Sequence, residues 1–309
     1  MNNPSRLFAC AVVSLPLLLP DAARAWSANG HRAVARIAAD RLSAGAQRGV
    51  SDILGGAITL EDLAPCADDI RHGSQGFNCA GLVLNAEPQS QPWHFVDIPI
   101  SDSPSATSPY CAGGGCVTTA IKAQMKILQD PSAAKADKQV ALMFLVHFVG
   151  DEHQPMHCAY ESVNGVNDRG GNLKPFKLPK GAPMFALNLH SVWDHIIEAG
   201  DSFDPATLSQ QLEGDLKSKP TGAWTSGDFV ESAALESFAI AKGTIYPAYH
   251  APNGDHPDDS YQTTMQPIAF ERLEKAGVRL AALLEQALGK PQGASFPAAT
   301  ALVGPASKP

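Results

Sequence analysis

Apolar residues recur along the chain at helical spacing and predict five main helices. These helices cover residues 30–48, 118–129, 138–150, 228–250 and 268–289. In the last segment Leu273, Leu280, Leu284 and Leu288 fall on one stripe, as expected for a helix that packs on a core. The segment 138–150 is apolar nearly all round, so we expect that helix to be buried.

Strand-like alternation is scarce and short in this chain. Loops rich in Pro, Gly and Ser, notably 97–116 and 160–186, separate the helical segments. The pattern therefore predicts an all-α, mainly helical fold with long loops. With 309 residues and no internal repeat, the chain is long enough to form one large core in a single domain.

The first 25 residues have the pattern of an export signal. An apolar run over 7–19 follows Arg6 and is interrupted by Pro16, and A-R-A at 23–25 has the small residues of a signal-peptidase site. The run is too short to span a bilayer, and no later segment offers 18 clean apolar residues. We therefore expect cleavage before Trp26, a secreted or periplasmic protein, and no membrane anchor.

The remainder divides into a domain at 26–290 and a short tail at 291–309. The tail reads PQGASFPAATALVGPASKP from residue 291 and lacks any period, so we expect it to be disordered.

Cysteine usage agrees with an oxidising compartment. Five cysteines follow the signal segment: Cys66, Cys79, Cys111, Cys116 and Cys158. Short spacing favours the pairs Cys111–Cys116 and Cys66–Cys79, with Cys158 left over, although spacing alone leaves the connectivity open.

Histidines beside carboxylates are the main chemical signal. His147 and Asp151 are four residues apart, as are His190 and Asp194, so each pair shares a helix face. His157 follows Pro155, where the first of these helices should end.

Further donors lie upstream in PWHFVDIP, which offers His94, and in CADDIR, which offers Asp68 or Asp69. Imidazole and carboxylate donors without thiolates suit zinc in a catalytic site.

A single histidine–carboxylate pair at this spacing is usually a surface or capping pair, and we expect His153 and His195 to be of that kind. His147 differs because it lies within ALMFLVHFVGD, where an unpaired buried imidazole would be costly. Two such pairs with additional His and Asp nearby favour a metal site over isolated pairs.

Six blocks of the sequence, in order, resemble the S-one/P-one family of trinuclear-zinc, single-strand-preferring nucleases, which are related to the bacterial zinc-dependent phospholipases C. The blocks are W-S-A-N-G-H (26–31), A-D-D-I-R (67–71), W-H-F-V-D-I-P (93–99), H-F-V-G-D-E-H-Q-P-M-H (147–157), N-D-R-G-G-N (167–172) and N-L-H-S-V-W-D (188–194). The resemblance implies a phospholipase C/nuclease-like helical domain with long loops around a metal cleft.

The resemblance also implies a set of ligands for three Zn²⁺ ions. One zinc would be held by Asp68, His94, His147 and Asp151. A second would be held by His157, His190 and Asp194. The third would be held by His31, Asp151 and the free α-amine and carbonyl of Trp26, so that Asp151 bridges the first and third ions.

The same resemblance implies which residues contact the substrate. Phe95 would stack on a nucleobase, and Asp97 would bind its edge; stacking requires an unpaired base, which accounts for a single-strand preference. Asn172 would contact substrate, although its Gly-Gly neighbours could equally serve only a turn. Core packing remains the alternative for Phe95.

The resemblance also implies that Asp68, Arg71 and Asp151 are the catalytic residues. Arg71 would neutralise a phosphate oxygen in the transition state, and its alternative is a surface arginine that pairs with Asp68 or Asp69.

The sequence thus predicts an exported, monomeric zinc-dependent endonuclease that cuts single-stranded DNA and RNA to 5′-phosphate products, with 3′-nucleotidase activity as a second expected reaction. A phospholipase C and a non-catalytic zinc-binding protein are the alternatives. The formal net charge of −8 does not oppose a nucleic-acid substrate, because bound zinc would make the site itself cationic.

Overall fold

A computed structural model describes residues 26–70, 77–84, 90–111, 113, 115–177, 187–198, 204–255 and 259–289 of the protein. Most of these residues are helical, which confirms the all-α prediction. The α-helices are α1 (Ala28–Asp40), α2 (Ala44–Leu54), α3 (Leu60–Leu63), α4 (Cys66–Ile70), α5 (Val117–Gln129), α6 (Lys135–His153), α7 (Leu189–His195), α8 (Pro205–Leu216), α9 (Phe229–Ile240), α10 (Tyr246–His250) and α11 (Asp259–Leu288).

Helix α6 lies at the centre of the molecule, with α5 along one side and α1, α9 and α11 also packed against it. Every residue from Ala141 to His153 is buried, as the continuous apolar pattern predicts. Helix α1 packs along α11, and the stripe of leucines on α11 is buried. The buried apolar side chains, from Trp26 to Leu288, form one contiguous cluster, so the polar residues of α6 are buried within a single core.

Two predicted helices differ markedly from the observed ones, and α6 extends three residues further at each end than predicted. The segment 30–48 is divided between α1 and α2, because Ser43 caps the start of α2 by accepting a hydrogen bond from the Ala46 N–H at 3.3 Å. Helix α11 begins nine residues earlier than expected and contains Pro267. Proline removes one helical hydrogen bond, but buried Met265 and a bond from Gln266 to the Ile196 carbonyl anchor this part of the helix.

The predicted helix at 228–250 is continuous, but it includes a π-helical turn at Ala241–Ile245 between α9 and α10. The strands in the described part of the chain form two small antiparallel hairpins. They are β1 (Phe77–Cys79) with β2 (Leu82–Leu84), and β3 (Ser162–Val163) with β4 (Val166–Asn167).

Two disulfides, Cys66–Cys79 and Cys111–Cys116, agree with the pairs that spacing favoured. Cys158 is a buried free thiol, and burial raises its pKa. Among the described helices, none combines the length and apolar character needed to cross a bilayer. The proposed signal segment and tail fall outside the described residues, so both stay predictions.

Candidate active site

The end of helix α6 supplies the first site residues. His147 and Asp151 are one turn apart on the helix, and both are fully buried. The helix ends at His153, and the residues after it form a short 3-10 turn, Pro155–His157, in which His157 is also buried. Proline cannot donate an amide hydrogen bond, so it is well suited to start this turn.

Asp151 is the centre of the first group of donors. Its Oδ1 lies 3.3 Å from His147 Nε2 and 3.4 Å from His31 Nε2, and its Oδ2 lies 2.8 Å from His94 Nδ1. Helices α1 and α6 and the 3-10 turn Gln91–His94 therefore contribute histidines to one carboxylate.

Asp68, on α4, completes this group. Its Oδ1 is 3.4 Å from His147 Nε2 and 3.9 Å from His94 Nδ1. Two sets of ligand atoms are compact enough to hold a metal ion, namely His31 with Asp68 and His147, and His94 with His147 and Asp151. His147 belongs to both sets, so the two sets overlap in one continuous cluster.

A second group consists of His157, His190 and Asp194. Their ligand atoms lie within 4.8 Å of one another. The Nε2 atoms of His157 and His190 are 3.0 Å apart, and His190 Nε2 is 3.7 Å from Asp194 Oδ1. Such close ring nitrogens suit a shared cation.

Main-chain carbonyls orient the histidines of both groups. The Nδ1 atoms of His147, His157 and His190 lie 2.7–2.8 Å from the carbonyl oxygens of Ala64, His94 and Gly170, respectively. Donation from Nδ1 to a carbonyl fixes the tautomer in which Nε2 is unprotonated and can coordinate a metal ion, which is the usual arrangement of metal-binding histidines.

This chemistry fits zinc. The buried Nε2 of His147 faces two carboxylates, with Asp68 Oδ1 at 3.4 Å and Asp151 Oδ1 at 3.3 Å. Burial disfavours the charged ring, but the charges of Asp151 and Asp68 and the hydrogen bonds of the ring raise the pKa of His147. A dense cluster of carboxylates that attracts a proton would attract a divalent cation more strongly.

Trp26 lies beside both groups. Its side chain is buried, and its indole N–H donates to the Gly150 carbonyl on α6 at 3.0 Å. The next amide, that of Ser27, donates to the Asp194 carbonyl at 2.8 Å. The predicted mature N-terminus therefore adjoins helices that carry candidate ligands.

Glu198 anchors the N-terminal segment at Ser27 and Asn29 through hydrogen bonds. Its Oε1 accepts hydrogen bonds from the side chains of Ser27 and Asn29, and its Oε2 is 2.8 Å from His195 Nδ1. Although partial burial opposes ionisation, these hydrogen bonds lower the pKa of Glu198. His195 is thus a partly exposed pairing residue, as predicted.

Phe95 and Asp97 lie on one face of an extended segment. Residues on the other face, Val96 and Ile98, are buried, whereas Phe95 and Asp97 are half-buried. Phe95 is absent from the apolar side chains that pack on the described core, which favours a surface role over core packing. Burial raises the pKa of Asp97, and Asn167 donates to it at 3.3 Å.

The N-D-R-G-G-N loop positions His190. Gly170 and Gly171 have positive φ angles of 62° and 83°, and a Cβ at Gly170 would lie 2.3 Å from the Met156 carbonyl. The glycine pair therefore serves a turn. Asn172 donates to the Arg169 carbonyl within this loop at 2.8 Å, and its contact with substrate stays a prediction.

His153 is not the surface or capping residue that its sequence context suggested. It is buried, its Nδ1 is 2.7 Å from the Val149 carbonyl, and Arg279 donates to its Nε2 at 3.0 Å. Burial first, and then the charges of Arg272 and Arg279, lower the pKa of His153 well below its ordinary value. Arg71 lies outside the described residues.

Several residues around the site were missed by sequence reasoning. Gln154 donates to Asp194, Glu198 holds the N-terminal segment, and the carbonyls of Ala64 and Gly170 orient histidines. Gln154 lies within a recognised block, H-Q-P-M-H, but nothing in the sequence indicates a carbonyl partner 20 or more residues away.

The helical fold presents two buried histidine–aspartate groups that could hold metal ions, and their imidazole and carboxylate donors, without thiolates, are typical of a catalytic metal site. The chain belongs to the S1/P1 nuclease family, since the model of that family, described as S1/P1 Nuclease, matches residues 26–289. It is therefore a hydrolase of the nuclease class.

Individual relatives match nearly the whole chain. Endonuclease 1 of Arabidopsis thaliana is 28% identical over 318 residues, covering 95% of this chain and 94% of the relative. Nuclease P1 of Penicillium citrinum is 28% identical, covering 83% and 95%, respectively. Nuclease S1 of Aspergillus oryzae is 27% identical, covering 86% and 93%.

Proposed function

We propose that the protein is a zinc-dependent endonuclease that hydrolyses single-stranded DNA and RNA to 5′-phosphate products, with 3′-nucleotidase activity as a second reaction. The observation that carries the proposal is the convergence of two buried histidine–aspartate groups in a member of a nuclease family. Nothing in the composition of these groups favours a structural metal, because structural zinc sites are usually rich in cysteine.

Three zinc ions would use nine residues of this chain. Asp68, His94, His147 and Asp151 would hold one ion, and His157, His190 and Asp194 would hold another. His31, Asp151 and the α-amine and carbonyl of Trp26 would hold the third. The position of Asp151 among three histidines supports its role as the shared ligand.

Zinc supplies Lewis-acid stabilisation of phosphoryl oxygens and lowers the pKa of bound water to about 7, which makes a nucleophile available near neutral pH. The three aspartate ligands offset only half of the charge of three Zn²⁺ ions, so the pocket would attract an anionic phosphodiester although the chain is acidic.

The chain's own residues would position the substrate. Phe95 presents a half-buried ring for stacking, and Asp97 lies on the same face, where it can accept a hydrogen bond from a base edge. Asn172 would contact substrate from the neighbouring loop, and Arg71 would neutralise a phosphate oxygen.

We also propose that the protein is exported and acts as a monomer after cleavage before Trp26. The two disulfides support an oxidising compartment. Burial of Trp26 beside Asp194 supports a role for the new terminus in the site.

The test uses protein that begins at Trp26 and has been loaded with zinc. We expect release of acid-soluble nucleotides from single-stranded DNA, loss of this activity with a chelator, and recovery when zinc is restored. Turnover of phosphatidylcholine in place of DNA would indicate a phospholipase C, and turnover of neither would indicate a zinc-binding protein. Activity that survives complete removal of zinc would refute the proposed mechanism.

A further inference from the structure

Gln154 lies in the first position after helix α6 and is fully buried. Both ends of its amide are used. The Nε2 donates to Asp194 Oδ1 at 2.8 Å, and the Oε1 accepts from the Met156 N–H at 2.6 Å. The side chain therefore spans from the 3-10 turn that carries His157 to the helix that carries Asp194.

Met156 immediately precedes His157, so the bond to its amide fixes the turn from which that histidine projects. The bond to Asp194 holds its Oδ1, the oxygen that lies 3.7 Å from His190 Nε2. One amide side chain thus constrains two members of the group formed by His157, His190 and Asp194.

The third member of the group is oriented separately by the Gly170 carbonyl. Asp194 also accepts a main-chain bond from Ser27, and Trp26 donates to Gly150 on α6. Together with the bond from Gln154 to Asp194, these hydrogen bonds connect the N-terminal segment, α6 and α7 to one another beside the candidate ligands.

We propose that Gln154 is a positioning residue for zinc binding at the group formed by His157, His190 and Asp194. This inference rests on the proposed function, because it assumes that the group binds zinc. An outer hydrogen bond of this kind orients a ligand and strengthens metal binding, and its loss typically costs about 10- to 100-fold in affinity or activity.

The matched control is Gln139, a half-buried glutamine on the same helix. Its Nε2 donates to the Ile53 carbonyl at 2.9 Å, and Ile53 is not a candidate ligand. Gln154→Met and Gln139→Met therefore each remove one donated side-chain bond of similar length, but only the first removes it from a ligand.

The experiment is a titration of zinc content at buffered free zinc concentrations, in protein that begins at Trp26, alongside thermal unfolding of the zinc-free variants. We expect one equivalent of zinc to dissociate from Gln154→Met at about 10- to 100-fold higher free zinc than from the unmodified protein. The other equivalents should be unchanged, and Gln139→Met should retain the unmodified titration even if its melting temperature falls as far.

Activity of Gln154→Met should recover at raised zinc, with KM for the single strand unchanged. Should that variant not fold, Gln154→Asn gives the same comparison, since it keeps the amide but is one methylene too short to span both partners. Unaltered zinc affinity in the folded variant, or an equal loss in Gln139→Met, would overturn the proposal. Failure of the unmodified protein to bind zinc would instead refute the proposed function.

Discussion

Asp68 and Asp69 are adjacent carboxylates on α4 with different surroundings. Asp68 is buried within reach of His147 and His94, whereas Asp69 is half-buried and belongs to neither set of ligand atoms. We expect Asp68→Asn to lower kcat/KM more than about 100-fold, because even outer-shell losses cost about 10- to 100-fold. Asp69→Asn should stay within about threefold.

Nuclease assays together with zinc content would check this pair. A larger loss in Asp69→Asn than in Asp68→Asn would contradict the assignment of Asp68 as a ligand.

Phe95 gives a prediction about the substrate. Base stacking on an aromatic ring contributes about 1–3 kcal/mol per base, so Phe95→Leu should lower kcat/KM for single-stranded DNA by about 5- to 150-fold. Thermal stability should change little, because Phe95 is not among the side chains that pack on the core. Phe95→Tyr keeps the ring and should retain activity; equal losses in both variants would argue against stacking.

At the scale of elements, hydrogen bonds from α9 and α11 hold the C-terminal end of α6. Arg272 on α11 donates to the His153 carbonyl at the end of α6, and Ser237 on α9 donates to the Glu152 carbonyl at 2.6 Å. Glu236 on α9 accepts from both Arg272 and Arg279. This network caps helix carbonyls that would otherwise lack partners and holds the helix that carries Asp151.

Glu236 makes this network sensitive to acid. Partial burial opposes its ionisation, but the hydrogen bond from Arg279 and the charges of Arg272 and Arg279 lower its pKa to about 2. A carboxylate with a lower pKa in the folded than in the unfolded protein stabilises the fold above its unfolded pKa, here 4.5. That contribution is lost as the pH falls from 4.5 toward 2.

We therefore expect Glu236→Gln to reduce the free energy of unfolding at pH 7 by about 1–3 kcal/mol, a value discounted for the partial exposure of this carboxylate. The difference from the unmodified protein should shrink as the pH falls through that range. Denaturant unfolding across pH would measure it. Glu271→Gln, which removes the ion pair between the exposed Glu271 and the half-buried Lys275, is the control and should change stability by less than about 1 kcal/mol. A difference that does not vary with pH would contradict the role given to Glu236.

At the scale of the whole molecule, the predicted cleavage before Trp26 would create a new N-terminus beside the candidate metal-binding groups. Trp26 is buried, and the Ser27 amide is bonded to the Asp194 carbonyl. If the free α-amine of Trp26 is a ligand, a protein with two extra residues before Trp26 should bind fewer than three zinc ions and cut single strands poorly.

Zinc stoichiometry and N-terminal mass, measured on the same samples, would check this prediction. The same two residues added after Pro309 serve as the control and should have no effect. Full activity and three zinc ions in the N-terminally extended protein would show that the terminus is not a ligand.

The sequence by itself determined the helical class, the central buried helix and the identity of the chemical groups. Apolar periodicity is a local property, so α5, α6 and the helical stretch from α9 to α10 lie where it placed them. Four-residue spacing likewise required His147 and Asp151 to share a face of α6. The family blocks indicated which distant histidines belong with them.

Only the tertiary structure decided which groups meet and how they are held. The N-terminal part of α11 is helical despite Pro267 because distant residues anchor it. Asp68 rather than Asp69 lies among the atoms that could hold a metal ion, and His153 is buried against Arg279, because helices that are distant in the chain pack against them. These outcomes depend on contacts between residues far apart in the chain, and local propensity carries no information about them. Gln154 and the carbonyls of Ala64 and Gly170 illustrate the point, because their roles exist only once the helices have packed.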